Sequence, residues 1–188
     1  MDAIDATAAL ARARQGDSEA FRALVERHSR HAFQLAFRIT GNEQDAEDVV
    51  QESFIRAYRQ IHRFEARAHF GTWLHRIVAN CSVDLIRARR ARTGHASTDD
   101  LTPAEQPESA APTPERLAAS AQIQRSVEAA MSGLSPLERA AFTLRHYEGR
   151  SIAEIGRTLG LGTSAAKHSV FRAVRKLRAA LEPLRGES

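Results

Sequence analysis

Residues 93–112 divide the chain into two blocks. This segment combines proline, serine, threonine and acidic residues, has no aromatic residue, and carries Leu101 as its single large aliphatic side chain. A stretch with so little apolar surface to bury cannot offset the entropy lost on ordering, so it is typical of a linker. We therefore expect domains at 1–92 and 113–188, in a chain of 188 residues that is long enough for real hydrophobic cores.

Both blocks have the periodicity of α-helices. In the first block, apolar residues recur at helical spacing in three segments. The first segment follows a cap at Asp17 or Ser18, the second covers about 43–61, and the third covers about 70–90. In the second block, Thr113-Pro114 and Ser135-Pro136 each look like a cap followed by proline at the first helical position, and Glu138 completes a capping box with Ser135. No useful length alternates with a period of two. The sequence predicts an all-α protein of two helical domains joined by a flexible acidic linker.

The second block contains the pattern of a helix-turn-helix. Ser151 and Glu154 have the spacing of a capping box, and Gly160 can take the left-handed conformation that ends a helix. The missing side chain at Gly156 would let the two helices approach closely. A second helix can begin at Thr163 or Ser164, with a buried side made of Ala166, Val170, Val174 and Leu177.

The opposite face of that second helix is basic. It carries side chains that reach phosphates and base edges in a major groove, namely Lys167, His168, Phe171, Arg172 and Arg175. The alternative interpretation is an ordinary helical hairpin with a solvated basic face. Charge favours a polyanionic partner: the net charges of 1–92, 93–112 and 113–188 are +3, −4 and +5, within a total of +4.

An acidic run and an arginine-rich run lie in the first block. Residues 41–52 contain five carboxylates and no cation. Negative charge suits the first turns of a helix, but the polar strip continues further and is better suited to a basic or polar partner. Downstream, arginines alternate with aromatic residues, as in surfaces that bind single-stranded nucleic acid. Phe64 is the better candidate for stacking because it falls in a predicted loop, whereas Trp73 is expected in the core.

Other functional classes find little support in the sequence. Cys81 is the single cysteine, which excludes an internal disulfide and does not make a thiolate metal site by itself. His28 and His31 have helical spacing, but no second cluster accompanies them, so we expect no metal, no cofactor and no enzymatic activity.

No apolar run approaches the ~20 residues of a membrane span, and residues 1–10 carry aspartates where a signal peptide is positive. We expect a cytoplasmic protein.

Three segments in order resemble the bacterial extracytoplasmic-function (ECF) sigma factors. They are 45–54 (DAEDVVQESF), 70–80 (FGTWLHRIVAN), and 134–139 (LSPLER) followed by the helix-turn-helix. The resemblance runs from about Asp17 to Leu181. It implies a factor that binds core RNA polymerase and directs it to promoters, and it implies an anti-sigma protein as a further partner.

The resemblance also assigns roles to residues. It implies that the acidic helix binds the clamp helices of the polymerase through Asp45, Asp48, Gln51 and Glu52. It implies that the −10 element is opened and held as a single strand by Phe64, Trp73, Arg76 and Asn80. The −35 element would be read as a duplex by the basic face of the second helix. The acidic linker would run toward the RNA path of the polymerase.

Some residues depart from the family pattern, and a second resemblance exists. Ser164, Ala165-Ala166 and Ser169 differ from residues common in such proteins, which leaves the −35 sequence preference open. Lys167-His168 also resembles the DNA-binding domain of the quorum-sensing type of response regulator, which would make the protein a duplex-binding activator without sigma activity. Such a domain usually follows an α/β domain, and no strand pattern supports one here.

Overall fold

The computed structural model describes residues 3–64, 69–93 and 125–182, and within these ranges every regular element is a helix. This confirms the predicted all-α fold. A single 3-10 turn, Ile61–Arg63, follows the third helix. Thr113-Pro114 and nearly all of the proposed linker lie outside the described residues. The helices are α1 (Ala3–Arg14), α2 (Ser18–Thr40), α3 (Glu43–Gln60), α4 (Phe70–Thr93), α5 (125–132), α6 (Pro136–His146), α7 (Ile152–Leu159) and α8 (Thr163–Leu181).

The N-terminal domain is built on α2, α3 and α4, which pack against each other, with α1 lying on α2. Its core consists of fully buried aliphatic side chains, among them Leu35, Ile39, Val49, Leu74 and Val78. Burial of such side chains contributes roughly 1.5–3 kcal/mol each, so this core is the main source of the domain's stability. The sequence pattern predicted α2, α3 and α4 but not α1.

Short polar residues set the ends of these helices. The Asp17 carboxylate accepts a hydrogen bond from Ala20 N at 3.0 Å and begins α2. Asn42 Oδ1 accepts from Asp45 N at 2.8 Å and begins α3. Between them, Gly41 has φ 73°, a left-handed conformation that costs glycine little, and it turns the chain from one helix into the next.

In the C-terminal domain, a capping box starts α6. Glu138 N donates to Ser135 Oγ at 3.3 Å, and Ser135 N donates to Glu138 Oε2 at 2.9 Å. The same arrangement between Ser151 and Glu154 begins α7. Both boxes were predicted from sequence. A small apolar cluster joins α5 to α8, and its buried members are Ala130, Met131, Leu134, Ala173 and Leu177.

The two domains pack together, which the sequence did not predict. Helices α6 and α7 lie against α2 and α4, and the main hydrophobic core runs through both domains. Polar contacts follow the same boundary. Arg38 Nη1 donates to Glu148 Oε1 at 3.1 Å, and Arg90 Nη2 donates to the carbonyl of Leu134 at 2.9 Å. Burial lowers the pKa of His75 at this boundary, although the neighbouring Glu148 opposes the shift.

Arg139 brings a buried positive charge to the domain boundary. Its guanidinium lies against Gly41, where it leaves no room for a Cβ atom. The Nε atom is buried and has no hydrogen-bond partner. Burial, with a smaller effect from Arg90, lowers the pKa of Arg139 to about 10. Among the described residues no carboxylate forms an ion pair with Arg139, and a charge partly removed from water without such a partner costs free energy, so Arg139 opposes the packing of the domains.

Replacing Arg139 with methionine is therefore expected to stabilise the protein. Methionine keeps an unbranched apolar stem in the same space and removes the buried charge, which should raise the free energy of unfolding by about 1–3 kcal/mol. Thermal and urea unfolding followed by circular dichroism measure the change. The matched control is Arg178→Met, because Arg178 is exposed on α8. A lower melting temperature for Arg139→Met than for the wild type would show that the guanidinium stabilises the boundary.

Candidate nucleic-acid interface and partner groove

Helices α7 and α8 form the predicted helix-turn-helix. Helix α7 ends at Gly160, which has φ 64°, and Leu161 N then donates back to the carbonyl of Gly156 at 2.8 Å. A Cβ atom at Gly156 would lie 2.8 Å from Leu161 O and 3.9 Å from Ala166 Cβ. The backbone of the turn therefore requires glycine at 156, whereas the sequence pattern predicts that the approach of the second helix requires it, and Ala166 of that helix lies at an ordinary van der Waals distance.

Two details of α8 differ from the sequence prediction. The N-cap is Gly162, which has no side chain to accept a hydrogen bond, rather than Thr163 or Ser164. The buried face consists of Ala166, Ser169, Ala173 and Leu177, whereas Val170 and Val174 are half-buried. Small residues occupy the closest approach to α6, and the Ser169 hydroxyl is satisfied by donating to Ala165 O at 3.0 Å.

The predicted recognition face of α8 is open to solvent. All five of its candidate residues are exposed, and the Phe171 ring is 62% exposed. Cations and an aromatic ring that share one exposed helix face are residue types that contact phosphates and base edges. The exposed candidates are Lys167, His168, Phe171, Arg172 and Arg175.

The candidate single-strand face of α4 lies beside α7. Arg76 is exposed, but the Asn80 amide is already engaged. Its Nδ2 donates to the carbonyl of Arg76 at 2.8 Å and to the carbonyl of Thr158, on α7, at 2.9 Å. A cavity of about 250 Å³ opens next to this contact, and its lining includes Trp73, Arg76, Arg157 and Thr158. In this arrangement α7 occupies the amide donor that the sequence assigned to DNA.

Phe64 is more deeply buried than expected. It is 4% exposed, and its ring centroid lies 5.0 Å from that of Trp73 and 6.2 Å from that of Phe70. Trp73 is half-buried and packs against the main hydrophobic core, in line with its expected place. The expectation of an accessible Phe64 is corrected here, because the 3-10 turn directs the chain back onto α4 and the three rings pack together. Stacking a base on Phe64 requires this aromatic cluster to open.

The four candidate polymerase-binding residues on α3 fall into two groups. Asp45 accepts from Arg89 Nη1 at 2.6 Å, and its side chain is 18% exposed. Glu52 accepts from Arg56 Nε at 2.6 Å, one helical turn away. Both carboxylates are therefore engaged within the domain. Asp48 and Gln51 are exposed on the outer face of α3.

Asp48 and Gln51 border a groove between α2 and α3. The groove has a volume of about 1020 Å³, and its lining is mainly apolar, with contributions from Phe21, Val25, Phe33, Val50, Phe54, Ile55 and Tyr58. Ile55 and Tyr58 are 39% and 47% exposed, so they stand open beside the acidic rim. Sequence reasoning did not connect Ile55 or Tyr58 with the acidic residues of α3. Two large apolar residues three apart, next to carboxylates, were the available signal.

Metal and membrane functions find no support among the described residues. They contain no group of three or more His, Cys, Asp or Glu side chains that could hold a metal ion. None of the helices in this part of the chain is long and apolar enough to cross a membrane.

Comparison with known families assigns both domains. The model of sigma-70 region 2 matches residues 24–92, and the model of sigma-70 region 4 matches residues 124–177. The first range covers the groove and the α4 face, and the second covers the helix-turn-helix. A chain with these two regions in this order has the architecture of a sigma factor.

Individual relatives narrow the class. The ECF RNA polymerase sigma factor SigE of Mycolicibacterium smegmatis is 37% identical over 157 residues, which are 82% of this chain and 59% of that protein. SigW of Bacillus subtilis is 31% identical over 91% of this chain and 94% of its own length. The structure of CnrH in complex with the cytosolic domain of CnrY covers 98% of this chain and 99% of its own, with a TM-score of 0.64 and 27% identity. The chain belongs to the ECF RNA polymerase sigma factor family and is an alternative transcription initiation factor.

Proposed function

We propose that this sigma factor divides promoter recognition between its two domains. The groove between α2 and α3, with Asp48 and Gln51 on its rim, binds the clamp helices of core RNA polymerase. The face of α4 that carries Arg76 and Asn80 holds the separated strand of the −10 element. The exposed face of α8 reads the −35 element as a duplex in the major groove. The observation that carries this proposal is the exposed basic and aromatic face of α8.

Strand separation at the −10 element follows from capture of an unstacked base. Unstacking a base costs a few kcal/mol, and stacking on an aromatic side chain returns about 1–3 kcal/mol per base, with phosphate contacts in addition. Trp73 is half-buried beside the exposed Arg76, so this pair is available before the buried Phe64. We therefore place Trp73 and Arg76 in the first contact with the strand.

Promoter binding in this scheme requires the domains to separate. Asn80 donates one amide hydrogen to the carbonyl of Thr158 on α7, and this hydrogen becomes available to DNA only when α7 moves away. The boundary is suited to opening, because it contains the buried charge of Arg139 and half-exposed ion pairs such as Arg38–Glu148. Binding of core polymerase to the groove is expected to precede this separation.

Run-off transcription tests the proposed function. The purified chain is added to purified core RNA polymerase on genomic fragments of the native host, and the start sites are mapped. The expected result is RNA from defined starts that share two upstream elements. RNA that appears only when a second sigma factor is supplied would identify a duplex-binding activator instead.

An anti-sigma protein is part of the proposal. The structures that this chain resembles include CnrH bound to the cytosolic domain of CnrY, and a Bartonella quintana RpoE bound to the anti-sigma factor NepR, at 21% identity and a TM-score of 0.64. The open groove beside Ile55 and Tyr58 offers apolar surface for such a partner. Co-purification of the tagged chain from its host should return a small protein in addition to polymerase subunits. Polymerase alone would count against this partner.

A further inference from the structure

Glu138 is a buried carboxylate beneath the recognition helix. Its side chain is 5% exposed, and both of its oxygens are engaged. Oε2 accepts from Lys176 Nζ at 2.7 Å and from Ser135 N at 2.9 Å, while Oε1 lies 3.3 Å from Arg172 Nε. Burial alone would raise the pKa of Glu138, but the hydrogen bonds from Lys176 and Ser135 outweigh it and hold the pKa below its usual value.

Capping α6 does not explain this arrangement. Glu154 occupies the same position in the capping box of α7 and makes the same bond to its own cap residue, Ser151. Its side chain is 39% exposed, and its ion pair is with Arg150, in the loop before α7 and not on α8. A glutamate can therefore complete a capping box while it is exposed to solvent. The burial of Glu138 against two cations of α8 must have a role other than capping.

The two cations are one helical turn apart on α8. Arg172 and Lys176 approach the carboxylate from successive turns, so Glu138 restrains both the rotation of α8 about its axis and its position along α6. The contact from Glu138 to Arg172 is made through Nε, and the Arg172 side chain is 54% exposed. A guanidinium held through Nε still has the N–H donors of its terminal nitrogens for the edge of a guanine.

We propose that Glu138 is a positioning residue for −35 recognition, which orients the guanidinium of Arg172 toward base edges and fixes the rotation of α8. This inference rests on the proposed function. An arginine side chain that is held at one nitrogen directs its terminal N–H donors to one side, whereas an arginine without this restraint binds the nearest phosphate. Loss of the restraint is expected to reduce discrimination between sequences while general affinity for DNA is kept.

The test uses Glu138→Gln. Glutamine supports a capping box at this position, so α6 keeps its start, but the negative charge that holds Arg172 and Lys176 is removed. Holoenzyme is reconstituted with core polymerase, and its dissociation constants are measured on a promoter defined by start-site mapping and on the same promoter with the −35 element scrambled. We expect the preference for the intact element to fall about 5- to 10-fold, with affinity for the scrambled promoter unchanged or higher.

Two controls separate positioning from a general structural role. Glu154→Gln makes the same substitution in the second capping box and should leave the preference unchanged. In an Arg172→Ala background, Glu138→Gln should lower the preference by less than it does in the wild type, because one of the two residues through which it acts is gone. An unchanged preference in Glu138→Gln alone, or an equal loss with and without Arg172, would overturn the inference. If wild-type holoenzyme does not distinguish the two promoters, the proposed function fails first and this inference fails with it.

Discussion

Replacing Gly156 with alanine is expected to disrupt the helix-turn-helix. The added Cβ would lie 2.8 Å from Leu161 O, a distance that forces movement, and the obstacle is backbone held by its own hydrogen bond to Gly156 O. Overpacking of this kind costs typically 1–3 kcal/mol. For a chain of this length the melting temperature should fall by several degrees. Promoter binding that depends on the −35 element should weaken more than tenfold, because the turn that holds α8 relative to α7 must shift.

The control for this substitution is a neighbouring glycine with open space around it. Nothing lies within 4 Å of a Cβ atom at Gly162, and its φ of −65° suits any residue. Because Gly162 is the N-cap of α8, where alanine is less favourable than glycine, Gly162→Ala should cost about 0.5–1 kcal/mol, which is less than the cost of Gly156→Ala. Circular dichroism melts and holoenzyme binding to intact and scrambled promoters measure both variants. Equal melting temperatures for the two would mean that the turn relaxes at little cost and that the close approach is not essential.

The parts of this fold that follow from sequence are the local ones. Capping boxes at Ser135 and Ser151, the glycine turn at Gly41 and the left-handed Gly160 are set by residues within one helical turn, so their spacing is visible in the chain. The helix-turn-helix was predicted for the same reason. Its buried face was misjudged because hydrophobic periodicity favours large apolar side chains such as Val170, whereas the closest helix contact requires small ones such as Ala173.

Contacts between distant residues were not predictable in this way. The Asp45–Arg89 ion pair joins residues 44 positions apart, and the Asn80–Thr158 hydrogen bond joins residues 78 positions apart. The periodicity of apolar residues does not indicate which residues from different helices come into contact. The sequence therefore indicated which helices carry polar side chains, but it could not show which of those side chains are already engaged. In the sequence, Asp45 and Asp48 are both acidic residues of the same predicted helix. In the folded protein, Asp45 is paired with Arg89, whereas Asp48 is exposed.

The exposure of Asp48 leads to a prediction for the binding of core RNA polymerase. Asp48 is exposed beside the apolar groove, so the double variant Asp48→Arg/Gln51→Ala should fold normally and bind core RNA polymerase at least 30-fold more weakly. Reversing one charge at an interface costs several kcal/mol when like charges meet, and about 2 kcal/mol is enough for a 30-fold loss. Titration of labelled sigma factor with core enzyme measures the affinity, and run-off transcription should fall in parallel at limiting concentration.

A charge reversal outside the groove tests whether the loss of polymerase affinity is specific to the groove. Glu19 is a carboxylate on α2 that is 78% exposed and outside the groove lining, and Glu19→Arg changes the net charge as Asp48→Arg does. Its affinity for core enzyme should stay within about twofold of the wild type, since long-range effects between exposed charges are screened at physiological salt. Similar losses in both variants would indicate a general electrostatic attraction. Full affinity in the double variant, with an unchanged melting curve, would remove the outer face of α3 from the polymerase interface.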